Sequence, residues 1–146
     1  MMKINGYNYI NMLGKDMEYN SDNIIYENND SKIAFEYLYK YDDEYSVFML
    51  YVENANFKGQ HKFFLYIKDI ISAYEELKSV YSSLCGNVII PDMESESELM
   101  LSANGYDDIS ISGKIGGYYD CIKLEFDFKV DQTVISLLKN ILKNAL

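Results

Sequence analysis

The stretch Cys121-Ile122-Lys123-Leu124-Glu125-Phe126-Asp127-Phe128-Lys129-Val130-Asp131-Gln132-Thr133-Val134-Ile135-Ser136-Leu137-Leu138 changes its repeat at residue 131, and that change decides the fold class. From Tyr118 to Val130 apolar and polar side chains alternate. Ile122, Leu124, Phe126 and Phe128 share one side, while Cys121, Lys123, Glu125, Asp127 and Lys129 share the other. A period of two belongs to a strand that buries one face. After Asp131-Gln132-Thr133 the period becomes helical. Val134, Leu138, Ile141 and Ala145 form one stripe, widened by Ile135, Leu137 and Leu142, with Ser136, Lys139, Asn140, Lys143 and Asn144 opposite. Asp131 can accept a hydrogen bond from the backbone N–H of Thr133 or Val134, which makes it the expected N-cap. Lys139 and Lys143 then sit toward the negative end of the helix dipole. The chain is expected to finish as a sheet strand feeding a docking helix.

Working back from this ending, Ile109 to Ile115 alternates, with Ile109, Ile111 and Ile115 against Ser110, Ser112 and Lys114. Leu99 to Ser102 precedes it, and Asn104-Gly105 between the two is a hairpin signal, because both residues tolerate positive φ. Val88-Ile89-Ile90 reads as a strand that Pro91, the single proline, ends or confines to an edge. Upstream, Ile70, Tyr74, Leu77, Tyr81 and Leu84 recur at 4-3-4-3 spacing on one helical stripe, with Asp69 expected as its cap and Gly86 as the left-handed residue after its end. Three further strands are expected: Ile33 to Tyr41, Val47 to Val52 (a central strand covered on both sides) and Phe57 to Ile67. The turn between the first two is Asp42-Asp43-Glu44. Residues 1–30 are the least regular, with turns at Gly6 and Gly14 and one short strand near Ile24-Ile25-Tyr26. The order is a strand meander, a helix, a second meander and a helix. This predicts an α+β domain over residues 1–146, with antiparallel sheets built from two meanders, one central helix over about 69–85 and a C-terminal helix over about 132–145. Without βαβ alternation a doubly wound parallel sheet is excluded.

A chain of 146 residues, 49% hydrophobic, is long enough for one buried core and too apolar to be disordered. The formal net charge of -10 and pI near 4.4 set a field that repels nucleic acid and anionic membrane and attracts a basic partner. Fifteen tyrosines accompany no tryptophan, from AT-rich codon usage or from a ligand-stacking surface, for which Tyr37, Tyr39 and Tyr41 on one strand face are the candidates. No signal peptide and no span of about 20 apolar residues are recognisable, so a cytoplasmic protein is expected. Cys85 and Cys121 have no motif spacing and read as buried free thiols rather than a disulfide.

Chemistry-bearing patterns are few. His61, the only histidine, lies among Lys58-Gly59-Gln60-His61-Lys62 and reads as a surface strand residue rather than a general base. There is no G-x-S-x-G, no phosphate-cradling glycine loop and no zinc spacing. Gly113 and Gly116-Gly117 read as turn glycines between strands. Neither a catalytic set, nor a cofactor, nor a metal site is expected. Asp92, Glu94, Glu96 and Glu98 recur at every second residue, so an extended backbone would align all four as a negative ridge. That ridge and the turn Asp42-Asp43-Glu44 are the expected first contacts of a basic protein partner, through electrostatic steering.

From about Ser31 to Ala145 the chain resembles the WapI-like family of bacterial immunity proteins. The resemblance is carried in order by Asn56-Phe57-Lys58-Gly59, Tyr74-Glu75-Glu76-Leu77, Tyr81-Ser82-Ser83-Leu84, Cys85-Gly86-Asn87, Leu99-x-Leu101 and Ser110-Ile111-Ser112-Gly113. Its most specific part is the closing Leu124-Glu125-Phe126-Asp127-Phe128-Lys129-Val130-Asp131-Gln132-Thr133. The resemblance implies a cytosolic antidote, without catalytic activity or cofactor, that binds the C-terminal domain of a cognate secreted toxin and occludes its active site. The prototype's toxin is a tRNA-cleaving nuclease. The Asp-Gln-Thr triplet itself is a strand-to-helix joint rather than the toxin contact. A small-molecule or glycan-binding module using the tyrosine-rich strand is the alternative.

Overall fold

The expected switch from strand to helix is present at the C-terminus of the computed structural model, which describes residues 2–5, 20–116 and 122–146. In chain order the strands are β1 (Met2–Asn5), β2 (Ile24–Glu27, after a 3-10 turn at Ser21–Asn23), β3 (Ser31–Lys40), β4 (Tyr45–Asn54) and β5 (Phe57–Tyr66). Helix α1 (Ile67–Ser83) follows, then β6 (Cys85–Pro91), β7 (Glu98–Asn104), β8 (Ile109–Gly116), β9 (Lys123–Val130) and helix α2 (Thr133–Lys143). One sheet has the order β2-β3-β4-β5 and the other β1-β9-β8-β7-β6, with antiparallel pairing throughout. The fold is α+β, built from the two expected meanders. The first strand, which the sequence pattern left unread, adds to β9 at the edge of the second sheet. The start of the last expected strand at Tyr118, Cys121, Gly117, Gly6 and Gly14 lie outside the described residues.

The core takes the inner faces of both sheets and one face of each helix. Phe35, Phe48 and Phe63, from three neighbouring strands, are fully buried, with Phe35 stacked on Phe48 at 5.0 Å and edge-on to Phe63 at 5.7 Å. The second sheet contributes Val88, Ile90, Leu99, Leu101, Ile109, Ile111, Ile115, Leu124 and Phe126. β4 is covered on both sides as its apolar run predicts: Val47 and Phe48, which point opposite ways, are both fully buried. Tyr26 of β2 stacks on Phe128 of β9 at 4.8 Å and so joins the two sheets along one side.

Helix α2 buries Val134, Ile135, Leu138, Ile141 and Leu142. At about 1.5–3 kcal/mol for each such side chain, this face and not intrinsic propensity holds the helix. Gln132 rather than Asp131 stands at the N-cap, without a side-chain bond, and the expected carboxylate bond is made from one residue earlier. Asp131 Oδ1 accepts the backbone N–H of Thr133 at 2.8 Å and also the Thr133 hydroxyl. These two bonds, the hydroxyl first, hold the carboxyl below its ordinary range. Asp131→Ala should therefore cost about 1 kcal/mol, read as a lower urea midpoint at unchanged slope, and Asp131→Asn should keep most of the loss away.

Helix α1 departs from expectation at both ends. It begins at Ile67, directly from β5, and Asp69 lies inside the first turn, where its charge favours the dipole without capping. The N–H of Ile67 is taken by the carbonyl of Glu44 at 2.7 Å, so a neighbouring turn does the work of a cap. At the other end Leu84 takes the αL conformation (φ 54) at the helix cap, while Gly86, also at positive φ (136), belongs to β6. The buried stripe is Ile70, Ala73, Leu77 and Val80. Tyr81 is exposed, with Lys139 Nζ of α2 5.6 Å from its ring centroid. The Asn104-Gly105 hairpin is present with a longer connection, residues 105–108, in which only Gly105 has positive φ. Gly113 is not a turn glycine but lies inside β8. Cys85 is exposed, a free thiol at the first residue of β6, which corrects the expectation of burial.

Candidate interaction surface

A bulge in β3 decides where the tyrosines go. Tyr37 pairs with Phe48 and Tyr39 with Val47, so Leu38 is passed over and the strand changes face between the two tyrosines. Tyr37 packs inward, its ring 5.4 Å from Phe48, and Tyr39 points outward, 44% exposed. Three tyrosines on one face, as the alternation predicted, are therefore not formed. Tyr41, beyond the strand end, is 65% exposed and meets the ring of Phe64 edge-on at 6.3 Å. Tyr39, Val47 and Phe64 form one row across the outer face of the first sheet, and Tyr45 with Tyr66 the next. The Tyr45 and Tyr66 rings lie 4.7 Å apart. The Tyr45 phenol is pushed up to about 12, first by its hydrogen bond with Tyr66, with Glu44 and Asp42 adding to the rise.

The turn Asp42-Asp43-Glu44 borders this row. Asp42 is turned inward on the backbone, its Oδ1 accepting the N–H groups of Glu44 at 2.8 Å and Tyr45 at 2.9 Å. An Asx turn of this kind fixes the loop and leaves Asp43 and Glu44 to face solvent. Lys40 reaches Asp43 at 3.9 Å.

The second acidic segment is not the ridge that its spacing suggested. Residues 92–97 form the loop between β6 and β7 rather than an extended strand. Asp92 is buried, and its carboxylate is spent on the protein itself. Oδ1 accepts the N–H of Phe64 at 2.9 Å and of Glu94 at 3.3 Å, and Oδ2 accepts the Ser95 hydroxyl at 2.6 Å, with His61 Nε2 at 3.1 Å. Glu94 is exposed, Glu96 pairs with Lys123 at 3.2 Å, and Glu98 lies across from Lys114 in the β7–β8 register. An extended backbone would have aligned the four carboxylates; the loop separates them.

His61 is a strand residue as expected, but only partly exposed. It shares the inward parity of Phe63 and stands opposite Leu50, with its side chain 25% exposed. The trio His61, Asp92 and Ser95 has the composition of a nucleophilic triad without its geometry. In such a relay the carboxylate and the serine bond opposite ring nitrogens. Here Nε2 alone faces both, at 3.1 Å to Asp92 Oδ2 and 3.2 Å to Ser95 Oγ. Ser95 gives its proton to Asp92, so both neighbours accept and Nε2 must carry hydrogen. A protonated Nε2 has no lone pair to take a proton from serine. The trio is a latch between the sheets: Met93 N–H donates to the Phe64 carbonyl at 3.0 Å on β5, and Ser97 Oγ accepts the N–H of Gly116 at 2.9 Å on β8.

Burial raises the Asp92 carboxyl, but the hydrogen bonds from His61, Ser95, Phe64 and Glu94 outweigh it and leave it below its ordinary 3.8. A depressed pKa adds stability above the unfolded value, and that stability is lost as pH falls through the folded value. Wild-type unfolding free energy should therefore decline below pH 3.8, and Asp92→Asn should show a shallower decline over that window in urea titrations.

Tyr41, which precedes the first acidic turn, and the loop of residues 92–97 both meet Phe64. Its ring receives Tyr41 and its backbone holds Asp92 and Met93. Beside it lies a depression of about 390 Å³ lined in part by Met49, Gln60, Lys62 and Glu94. Parity explains why sequence reasoning missed Phe64 and His61: β5 alternates weakly, and no local pattern marks a residue as the meeting point of two distant loops. Among the described residues no group of three or more His, Cys, Asp or Glu could hold a metal ion, and no helix is long and apolar enough to cross a membrane. Comparison with protein-family models, with curated proteins and with solved structures finds no match in any of the three.

Proposed function

We propose that this chain is an immunity protein that acts in the cytoplasm by binding the C-terminal domain of a cognate secreted toxin, a nuclease in the first instance, and covering its active site. The reading rests on the resemblance of Leu124 to Thr133 and the preceding elements to the WapI-like family. One structural observation supports it: the side chains of catalytic type, His61, Asp92 and Ser95, are consumed in holding the two sheets together, while the acidic turn at Asp43 and Glu44 faces outward. Such a scaffold acts by presenting a surface, and a net charge of -10 suits a basic nuclease cleft. The test is co-expression with the toxin domain encoded immediately upstream. Restored growth and a complex that persists at micromolar concentration are expected. A chain that neither binds that domain nor protects the cells would overturn the proposal.

A further inference from the structure

The geometry points to the outer face around Tyr39, Tyr41 and Phe64, rimmed by Asp43, Glu44 and Glu94, as a surface that docks an arginine-bearing segment of a basic protein partner. Exposed aromatic rings are usually scattered singly over a surface. Here two tyrosines, 44% and 65% exposed, stand near the half-buried Phe64, Tyr39 across Val47 in the same row and Tyr41 edge-on to its ring at 6.3 Å. The protein already places a cation on the neighbouring row: Lys68 Nζ sits 5.1 Å from the centroid of Tyr66. Carboxylates lie at both ends, since the Asp42 turn adjoins Tyr41 and the Glu94 loop is fastened to the Phe64 backbone. Lys40 and Lys62 stand in the same region, so the local excess of negative charge is small; the attraction at a distance comes from the chain's net charge of -10. The rings supply the selectivity. A guanidinium is planar and weakly hydrated, so it stacks on tyrosine and pairs sideways with a carboxylate, whereas an ammonium keeps its water.

The surface is fixed before it is filled. Asp42 holds the turn through two backbone hydrogen bonds, and Asp92 with Met93 holds the opposite loop on β5. Little ordering is left for a partner to impose, which favours tight docking.

The inference rests on the proposed protein partner, but the two can fail separately. The probe is a glycine–arginine repeat peptide, titrated against wild type with a length-matched glycine–lysine peptide as control and followed by the ring proton shifts of Tyr39 and Tyr41. The arginine peptide should bind about fivefold tighter than the lysine peptide, and Tyr39→Ala with Tyr41→Ala should abolish that preference while leaving the melting temperature near wild type. Tyr→Phe at both positions should retain it. Equal affinity for the two peptides, or an arginine preference that survives the double alanine variant, would overturn the surface, as would saturation of these rings by a neutral oligosaccharide without arginine binding. A wild type that binds the arginine peptide through these rings yet protects no cell from the toxin leaves the surface standing and removes the immunity reading.

Discussion

Replacing Asp92 by alanine is expected to remove about 3–5 kcal/mol of folding stability, a large share of the roughly 5–15 kcal/mol that holds a domain together. The carboxylate accepts the N–H of Phe64 and Glu94, the Ser95 hydroxyl and the His61 Nε2 proton from a position only 4% exposed. Alanine leaves these donors without their acceptor, and Phe64 sits where the loop shields its backbone from water. Asparagine should recover about half of the loss. Its oxygen can still accept from Phe64, but its amide hydrogens would face the His61 proton. Equilibrium urea unfolding gives the size, and hydrogen exchange at the Phe64 amide gives the cause. A loss under about 0.5 kcal/mol, or unchanged protection at Phe64, would mean that the latch does not hold the sheets.

Gly113→Ala is the second large effect. A Cβ at this position would stand 2.6 Å from the carbonyl oxygen of Glu98 and 2.7 Å from Cζ of Phe126. The first contact is backbone, locked in the β7–β8 ladder, so the clash cannot be relieved by a rotamer change alone. About 2–4 kcal/mol of destabilisation is expected, measured as a shift in midpoint. Phe126→Leu in the same chain removes the ring contact but not the carbonyl contact, so the double variant should be destabilised by about 1 kcal/mol less than the sum of the single effects. Strict additivity would place the strain elsewhere.

The second meander was legible because each strand obeys one period and one burial rule. Ile109, Ile111 and Ile115 are buried as their alternation requires, and Leu124 and Phe126 likewise. The C-terminal helix was legible for the same reason, and Asp131 accepts the predicted bond from Thr133, although the N-cap itself is Gln132. The first sheet was only partly legible. One extra residue, Leu38, sends Tyr39 to the face opposite Tyr37, and no periodicity rule anticipates a bulge. The surface was harder still. Asp92, Glu94, Glu96 and Glu98 align only if their backbone is extended, and the loop turns Asp92 inward because Phe64, Ser95 and His61 offer it hydrogen bonds. Those partners lie 28 and 31 residues away in β5 or within the loop itself, so the outcome depends on tertiary neighbours that spacing does not encode. The start of α1 is similar: Glu44 supplies the missing acceptor for Ile67 across the sheet, and a local search finds Asp69 instead.

The tripeptide Pro91-Asp92-Met93 has a consequence for self-association. β6 and β5 are the outermost strands of their respective sheets, and a bare outermost strand is a template on which another copy can crystallise its own backbone. Asp92 donates its N–H back toward β7, to Ser97, so by alternation the preceding nitrogen points away from the sheet, and there the chain carries proline, which has no hydrogen to offer. Two residues later the same loop crosses to β5 and occupies both polar groups of Phe64. Three consecutive residues thus blunt one edge of each sheet, and at this point another copy finds neither a free Pro91 donor nor an open Phe64 backbone to pair with.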